Sequence, residues 1–193
     1  MRIAVDVMGS DHGSGIVIDG VKLALQAFPV LTEVHLFGQR AEIETALTRA
    51  NCRDARVQIH HASEVMTMED KPLDAVRKKK DCSMVRAMEL VRDGQAEAVI
   101  SSGNTGGLVA AATLKLRRLE SVDRPAIATV IPASQGEFLL LDAGANHECK
   151  PAHLLQFAIM GSVYSRELLR HPNLVYCHFV IISKFFLKNL FFR

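Results

Sequence analysis

Apolar residues along this chain keep two rhythms: short β-branched blocks, and longer stretches in which they return every third or fourth position. The blocks predict buried strands and the stretches predict helices. Ile3-Ala4-Val5, closed by Asp6, reads as a first strand, and the Gly-rich run 8–15 as its polar exit loop. A helix follows over Ile16–Phe28, with Val17, Val21, Leu25 and Phe28 on its apolar side and Pro29 ending it. The pattern then predicts a strand at 34–38, a helix at 41–50 carrying Ile43 and Leu47 on one face, and a short strand at 57–59. After a loop at 62–70, a helix or helix pair runs from Pro72 to about Arg92, with Pro72 in its first turn and Asp70 as its cap. Ala98-Val99-Ile100 is a further strand, followed by a helix to about Arg118. Two more strands, 126–131 and 138–142, flank a hairpin-like turn at 132–136, and Pro151 opens a helix to about Leu169. Strands alternating with helices predict an α/β fold with a largely parallel sheet covered on both faces. In such sheets ligands gather at the carboxyl ends of the strands, where the loops after Asp6, Ile100 and Asp142 are expected to converge.

Composition narrows the class. The 193 residues are 49% hydrophobic and 23% charged, enough for a substantial core in one domain, or one domain plus a fragment of another, of a soluble globular protein. A formal net charge of +2, without basic residues interleaved with aromatics, argues against nucleic acid. Cys52, Cys82, Cys149 and Cys177 are scattered, which supports neither a zinc site nor a disulfide framework and points to a reducing cytoplasm. The opening residues, with one Arg and a short apolar run before an acid, do not read as a signal peptide.

The candidate chemistry centres on Ser101-Ser102-Gly103-Asn104-Thr105-Gly106-Gly107. A strand that breaks into small polar residues and then starts a helix has the layout of an anion site. The glycines allow close backbone approach, Ser102, Asn104 and Thr105 add donors, and the helix start directs its unpaired N–H groups outward. The run matches neither of the common nucleotide-loop patterns, so a nucleotide is not indicated, and a tight turn with an Asn or Thr cap remains the alternative. The segment 142–151 repeats this layout, with Lys150 ahead of the helix and Asn146 available to hold the loop or donate to a ligand. Asp6 and Asp142 close apolar strands as site acids or as loop caps. His147, Glu148 and Cys149 are sequence neighbours only, and neither a metal site nor a Cys/His nucleophile is expected of them. The run Arg77-Lys78-Lys79-Lys80 is either a solvated face or an electropositive patch for phosphate or an acidic protein.

Beyond Glu167 the last 26 residues contain no Asp or Glu, and five of the nine Phe fall in the final fifteen. The apolar run 174–182 is too short to cross a bilayer and reads as a strand, followed by a basic, aromatic end that is either an interfacial segment or an abnormal terminus.

Several ordered segments together resemble the bacterial phosphate acyltransferases of phospholipid synthesis (PlsX). They are Arg2 to Asp6 with Met8-Gly9 and Asp11-His12, Ala62 to Val65, Lys78 to Met84, Ser102 to Gly106, Asp123 to Ala126, Leu139 to Asp142, Gly144 to Asn146, and Lys150-Pro151 through His153–Ala158 to Met160–Tyr164. The resemblance implies an α/β/α layered fold like that of phosphotransacetylases and isopropylmalate dehydrogenases. It implies a reaction in which acyl-[acyl-carrier protein] and inorganic phosphate give acyl phosphate and free carrier, with phosphate as the nucleophile and no metal or other cofactor. Phosphate is then expected at Ser102, Gly103, Asn104, Thr105, Gly106 and Asn146, with Lys80 and Lys150 lending charge. Asn104, Lys150, Asp6 and Asp11 are the catalytic candidates, the two acids as orienting groups. Arg77, Lys78 and Lys79 are expected to meet the carrier protein. A homodimer, a cytoplasmic location and peripheral contact with the inner membrane face complete the expectation.

The sequence departs from the family pattern at Ser10, where a Gly is usual, and at Ser14, where a Pro is usual. Residues 1–172 read as the N-terminal part of the acyltransferase domain. Residues 173–193 read as a divergent tail, as a frameshift or truncation would leave, so the fold is expected to be incomplete at the C-terminus. Two classes of function stay open on the sequence: the acyltransferase, and a catalytically inactive remnant that at most binds phosphate or a partner protein.

Overall fold

The strand at the centre of the fold is β1 (Arg2–Asp6), paired on one side with β2 (Glu33–Gly38) and on the other with β4 (Ala98–Ser101), while β3 (Val57–His61) adds beyond β2. All these pairs are parallel, giving the order β3-β2-β1-β4. A computed structural model of the protein describes residues 1–134 and 136–170. It divides into two compact units, Met1–Arg117 and the chain from Arg118 onward.

In the first unit the alternation of β1 and β2 decides which layer each helix joins. Ile3, Val5, Val34 and Leu36 point to one face and pack with Ile18, Val21 and Leu25 of α1 (Ser14–Ala27) and Ile43 of α2 (Arg40–Arg49). Ala4 and Phe37 point to the other and meet Ala87 of α4 (Ser83–Arg92). Against α4 pack α3 (Pro72–Lys78) and α5 (Thr105–Lys115), around Met66, Val76, Met84, Val85 and Ala111. The result is the expected α/β/α layering. From β1 the chain steps to β2 and β3 in one direction, then returns to the far side of β1 to lay down β4. That reversal is a topological switch point, and right-handed crossovers on its two sides place their helices on opposite faces.

Several local expectations are corrected. Phe28 lies past the end of α1 with 58% of its surface exposed, because the buried stripe is Ile18, Val21 and Leu25 and the chain turns before another repeat. The stretch 72–92, expected as a helix or a helix pair, is a pair, broken where Cys82 forms a short parallel bridge with Glu64. Asp70 does not cap α3. Its carboxylate accepts from the Thr67 N–H at 2.8 Å and from Lys79 Nζ at 2.5 Å, and Lys71 occupies the cap position without a side-chain bond. α5 stops at Lys115, short of Arg118, and Arg117 already has a positive φ of 68°.

The second unit contains an antiparallel hairpin, β5 (Ala128–Pro132) with β6 (Glu137–Leu141), and α6 (Pro151–Glu167). The loop after Asp142 therefore follows a strand of this antiparallel hairpin, whereas the sequence led us to expect it after a strand of the parallel sheet. The strand expected at 174–182 and the tail 173–193 lie outside the described residues. Among the described residues no helix is long and apolar enough to cross a membrane.

Candidate functional site

Parallel pairing sets Asp6 directly beside Ser101, the last residues of β1 and β4, at the switch point. Asp6 is almost wholly buried, and three segments bond to it. Ser101 Oγ donates to its Oδ2 at 2.7 Å, the Met8 N–H donates to its Oδ1 at 3.2 Å, and the Ser83 side chain, at the start of α4, is a third partner. Burial raises the Asp6 pKa above the usual carboxylate value, and the bonds from Ser83, Ser101 and Met8 offset part of that rise. Ser101 Oγ also accepts from the Gly103 N–H at 3.1 Å, so the carboxylate reaches the glycine loop through one hydroxyl. Ser101 opens the glycine run and Ser83 lies in the 78–84 segment, but neither had been given a role from the sequence. The signal available was register: a small hydroxyl residue closing the strand that pairs with an acid-terminated one.

The loop itself is tightly determined. Asn104 is the N-cap of α5, its Oδ1 accepting from the Gly107 N–H at 2.8 Å. Its Nδ2 donates to the Thr67 carbonyl at 3.0 Å and stands 3.5 Å from those of Met68 and Asp70, tying the loop at 66–70 to the helix start. Both ends of the Asn104 amide are thus engaged within the protein. The N–H groups of Thr105 and Gly106, first in α5, have no intrahelical acceptor and stand at the positive end of the helix. Ser102, Thr105 and Gly106 are exposed, and Gly103 is half-buried. Glycine is required by space: a Cβ at Gly107 would lie 2.0 Å from Met66 Sδ, and one at Gly106 2.9 Å from Pro72 Cγ. Gly9, at φ 78°, brings the β1 loop to the Gly103 backbone, where a Cβ would stand 3.5 Å from Gly103 Cα. Three loops, 8–10, 66–70 and 102–106, therefore meet at this edge, and the second of them was unforeseen.

The other candidates divide. Asp11 is exposed on the first loop, beside the half-buried Ser10. Arg77, Lys78 and Lys80 are exposed, whereas Lys79 turns inward, donating to Asp70 and to the Val65 carbonyl at 2.9 Å. The motifs at 62–65 and 81–84 bind each other. Asp81 accepts from the Ser63 N–H and Oγ at 2.8 and 2.7 Å, and Glu64 accepts from the Asp81 N–H at 2.9 Å. In the second unit Asp142 gathers its own loop, accepting from the N–H groups of Ile127, Ala145 and Asn146. Asn146 Nδ2 donates to Asp142 at 3.0 Å and to the Pro125 carbonyl at 2.8 Å, holding that loop closed. Lys150 is exposed just ahead of α6, its N–H donating to His153 Nδ1 at 3.1 Å. Among the described residues no group of three His, Cys, Asp or Glu is placed to hold a metal ion.

The first unit is thus of the class of doubly wound α/β proteins that offer an anion a helix start and glycine loops at the switch point. Residues 1–176 match the model of a family described as fatty acid synthesis protein, and the chain belongs to that family. It is 44% identical to a phosphate acyltransferase of Geotalea daltonii over 173 residues, covering 90% of this chain and 49% of the relative. It is 47% identical to one of Desulfitobacterium hafniense, covering 90% and 51%. The chain spans about half the length of the curated relatives it matches. Among solved structures it resembles a phosphotransacetylase of Streptococcus pyogenes, with a TM-score of 0.61, 19% identity and coverage of 86% of this chain and 53% of the other. The EutD phosphotransacetylase of Staphylococcus aureus gives 0.59, 16%, 86% and 52%. At such identities this likeness bears on the fold alone, which is the phosphotransacetylase-like α/β arrangement.

Proposed function

We propose that this chain carries the phosphate-binding part of an enzyme that moves an acyl group from acyl carrier protein to inorganic phosphate in phospholipid synthesis. The observation that carries the reading is the exposed start of α5, fixed by the Asn104 cap and the Asp6–Ser101–Gly103 relay, in a chain with phosphate acyltransferase relatives. The relatives favour it over an inactive remnant.

A phosphate oxygen attacks the thioester carbonyl carbon, the carbonyl oxygen takes up negative charge, and collapse of the tetrahedral species breaks the C–S bond. The carrier leaves as a thiolate and takes up the proton that hydrogen phosphate gives up on becoming the acyl phosphate. The nucleophile is the substrate itself, so the protein's work is to position a dianion and to stabilise an oxyanion. The N–H groups of Thr105 and Gly106, the Ser102 hydroxyl and the positive end of α5 are suited to the dianion. Asn104 and Asp6 act as positioning residues: one keeps α5 and the 66–70 loop in place, the other sets Gly103 through Ser101. Lys150 offers a further exposed cation at a helix start, suited to an oxyanion. Asp11, an exposed carboxylate on the neighbouring loop, is read as an orienting group rather than a phosphate ligand. Arg77, Lys78 and Lys80, exposed on the basic run, are suited to steer an acidic carrier. Family resemblance also supports a homodimer, a cytoplasmic setting and peripheral membrane contact.

The test is release of free carrier thiol from acyl-[acyl-carrier protein], measured with and without inorganic phosphate. Phosphate-dependent release with stoichiometric acyl phosphate is expected. Thiol release independent of phosphate, or release only from acyl-coenzyme A, would discard the assignment.

A further inference from the structure

Among the described residues, part of the first sheet is bare. Helices α1 and α2 lie on one face over β1, β2 and β3, and the helices around β4 lie on the opposite face. The α1 side of β4 therefore has no helix of its own within this unit, and Ile100 stands 53% exposed there. A groove of about 460 Å³ runs along this bare strip, within the usual range for small-molecule sites. Its floor is Ile3 and Val5 of β1 with Ile100 of β4, and its wall is Ile16, Val17 and Val21 of α1. The groove is polar at one end only, where Asp6, Ser10, His12, Ser101 and Ser102 border it. That end is the candidate phosphate edge: Ser101 is bonded to Gly103, and Ser102 opens the loop into α5.

We infer that this groove holds the hydrocarbon tail of the acylated substrate, with the reacting head group at the Ser102–Gly106 edge. The inference rests on the function proposed above and deepens it by assigning a chain site. A ligand with an anionic head and an alkyl tail has the polarity sequence of the groove. The parallel strands give the groove a straight floor of about 10 Å from Ile3 to Asp6, at roughly 3.3 Å per residue, which suits an extended chain. Gly20 lines the α1 wall, and a Cβ built there meets nothing within 4 Å, so the helix leaves open the space that a side chain would fill.

Gly20 also provides the test. Gly20→Leu adds a side chain at a groove-lining helix position where a Cβ meets nothing within 4 Å, and replacing a helical glycine favours the helix. The chain is titrated by calorimetry with inorganic phosphate and with butyl, octyl and dodecyl phosphate below their micellar concentrations. Affinity is expected to rise by up to about fourfold per methylene and then level off where the groove is full. Gly20→Leu is expected to lower octyl phosphate affinity about fifteenfold, the loss of two buried methylenes, with unchanged melting temperature and unchanged inorganic phosphate binding. Affinity independent of chain length would overturn the inference and mark the strip as a surface covered by protein. So would a chain-length gain that survives Gly20→Leu, because the tail would then lie elsewhere. Absence of inorganic phosphate binding strikes at the phosphate loop instead, since the groove is judged by the ratio between long and short alkyl phosphates.

Discussion

At the scale of single residues, the buried carboxyl of Asp6 makes a prediction about pH. Its pKa is raised in the folded chain, chiefly by burial, so the folded state holds the proton more tightly than the unfolded state. The associated stability is fully present below the unfolded value and is lost as pH rises through the folded one. Asp70 and Asp81 run the other way. Hydrogen bonds from Lys79 and from Ser63 lower their pKa values, and their contribution is lost as pH falls. Asp6→Asn removes only the first slope, so in urea titrations the variant should gain on the parent as pH rises above the ordinary carboxylate value of 3.8. A stability difference that is constant with pH would show Asp6 to be ionised throughout. Asn104→Asp is the second residue-scale prediction. The carboxylate can still cap α5, but it sets negative charge against the Thr67 carbonyl that the amide now serves, and beside the proposed phosphate edge. A loss of about 1–3 kcal/mol of stability and of phosphate binding is expected, by denaturation and calorimetry. Retention of both would reduce the loop to a turn. Asp6 was legible in the sequence because an acid closing an apolar strand is unusual. Ser83 was not, because nothing local says that the start of α4 meets the end of β1.

Among the elements, the basic run shows how a helix boundary sorts charges that look alike in sequence. α3 ends at Lys78, and the turn after it carries Lys79 inward to Asp70 and the Val65 carbonyl, leaving Lys78 and Lys80 outside. Lys79 is thus a staple of the 66–70 loop, and exchanging it would disturb the proposed phosphate edge as well as any partner. Lys78→Glu with Lys80→Glu is the cleaner probe. Association with acidic carrier protein should slow at low ionic strength and recover towards the parent rate as salt screens the field, in stopped-flow measurements. An unchanged rate at low salt returns these lysines to the solvated face. The elements themselves were largely legible, since β-branched blocks and helical spacing do not compete over most of the chain. The misplaced ends, at Phe28 and beyond Lys115, lie where apolar periodicity runs on past the point at which the backbone turns. Sequence spacing does not report that turn.

For the whole molecule, the class of fold was legible and the assignment of strands to sheets was not. The blocks at 126–131 and 138–142 are as apolar as β1 or β2, and an apolar strand carries no local mark of the sheet it will join. Only the short turn between them hinted at the antiparallel hairpin that they form in a unit of their own. The return of β4 to the far side of β1 also bears on the order in which the chain folds. β1 meets β2 across 31 residues, Ile3 with Val34, but Asp6 meets Ser101 across 95. Closing the longer loop costs about 1 kcal/mol more in chain entropy, and during synthesis it must wait for all of α4 to be made. The hydrophobic centre of the first unit can therefore assemble well before its ligand edge exists. A nascent chain stopped short of Ala98 would carry a core and no candidate site.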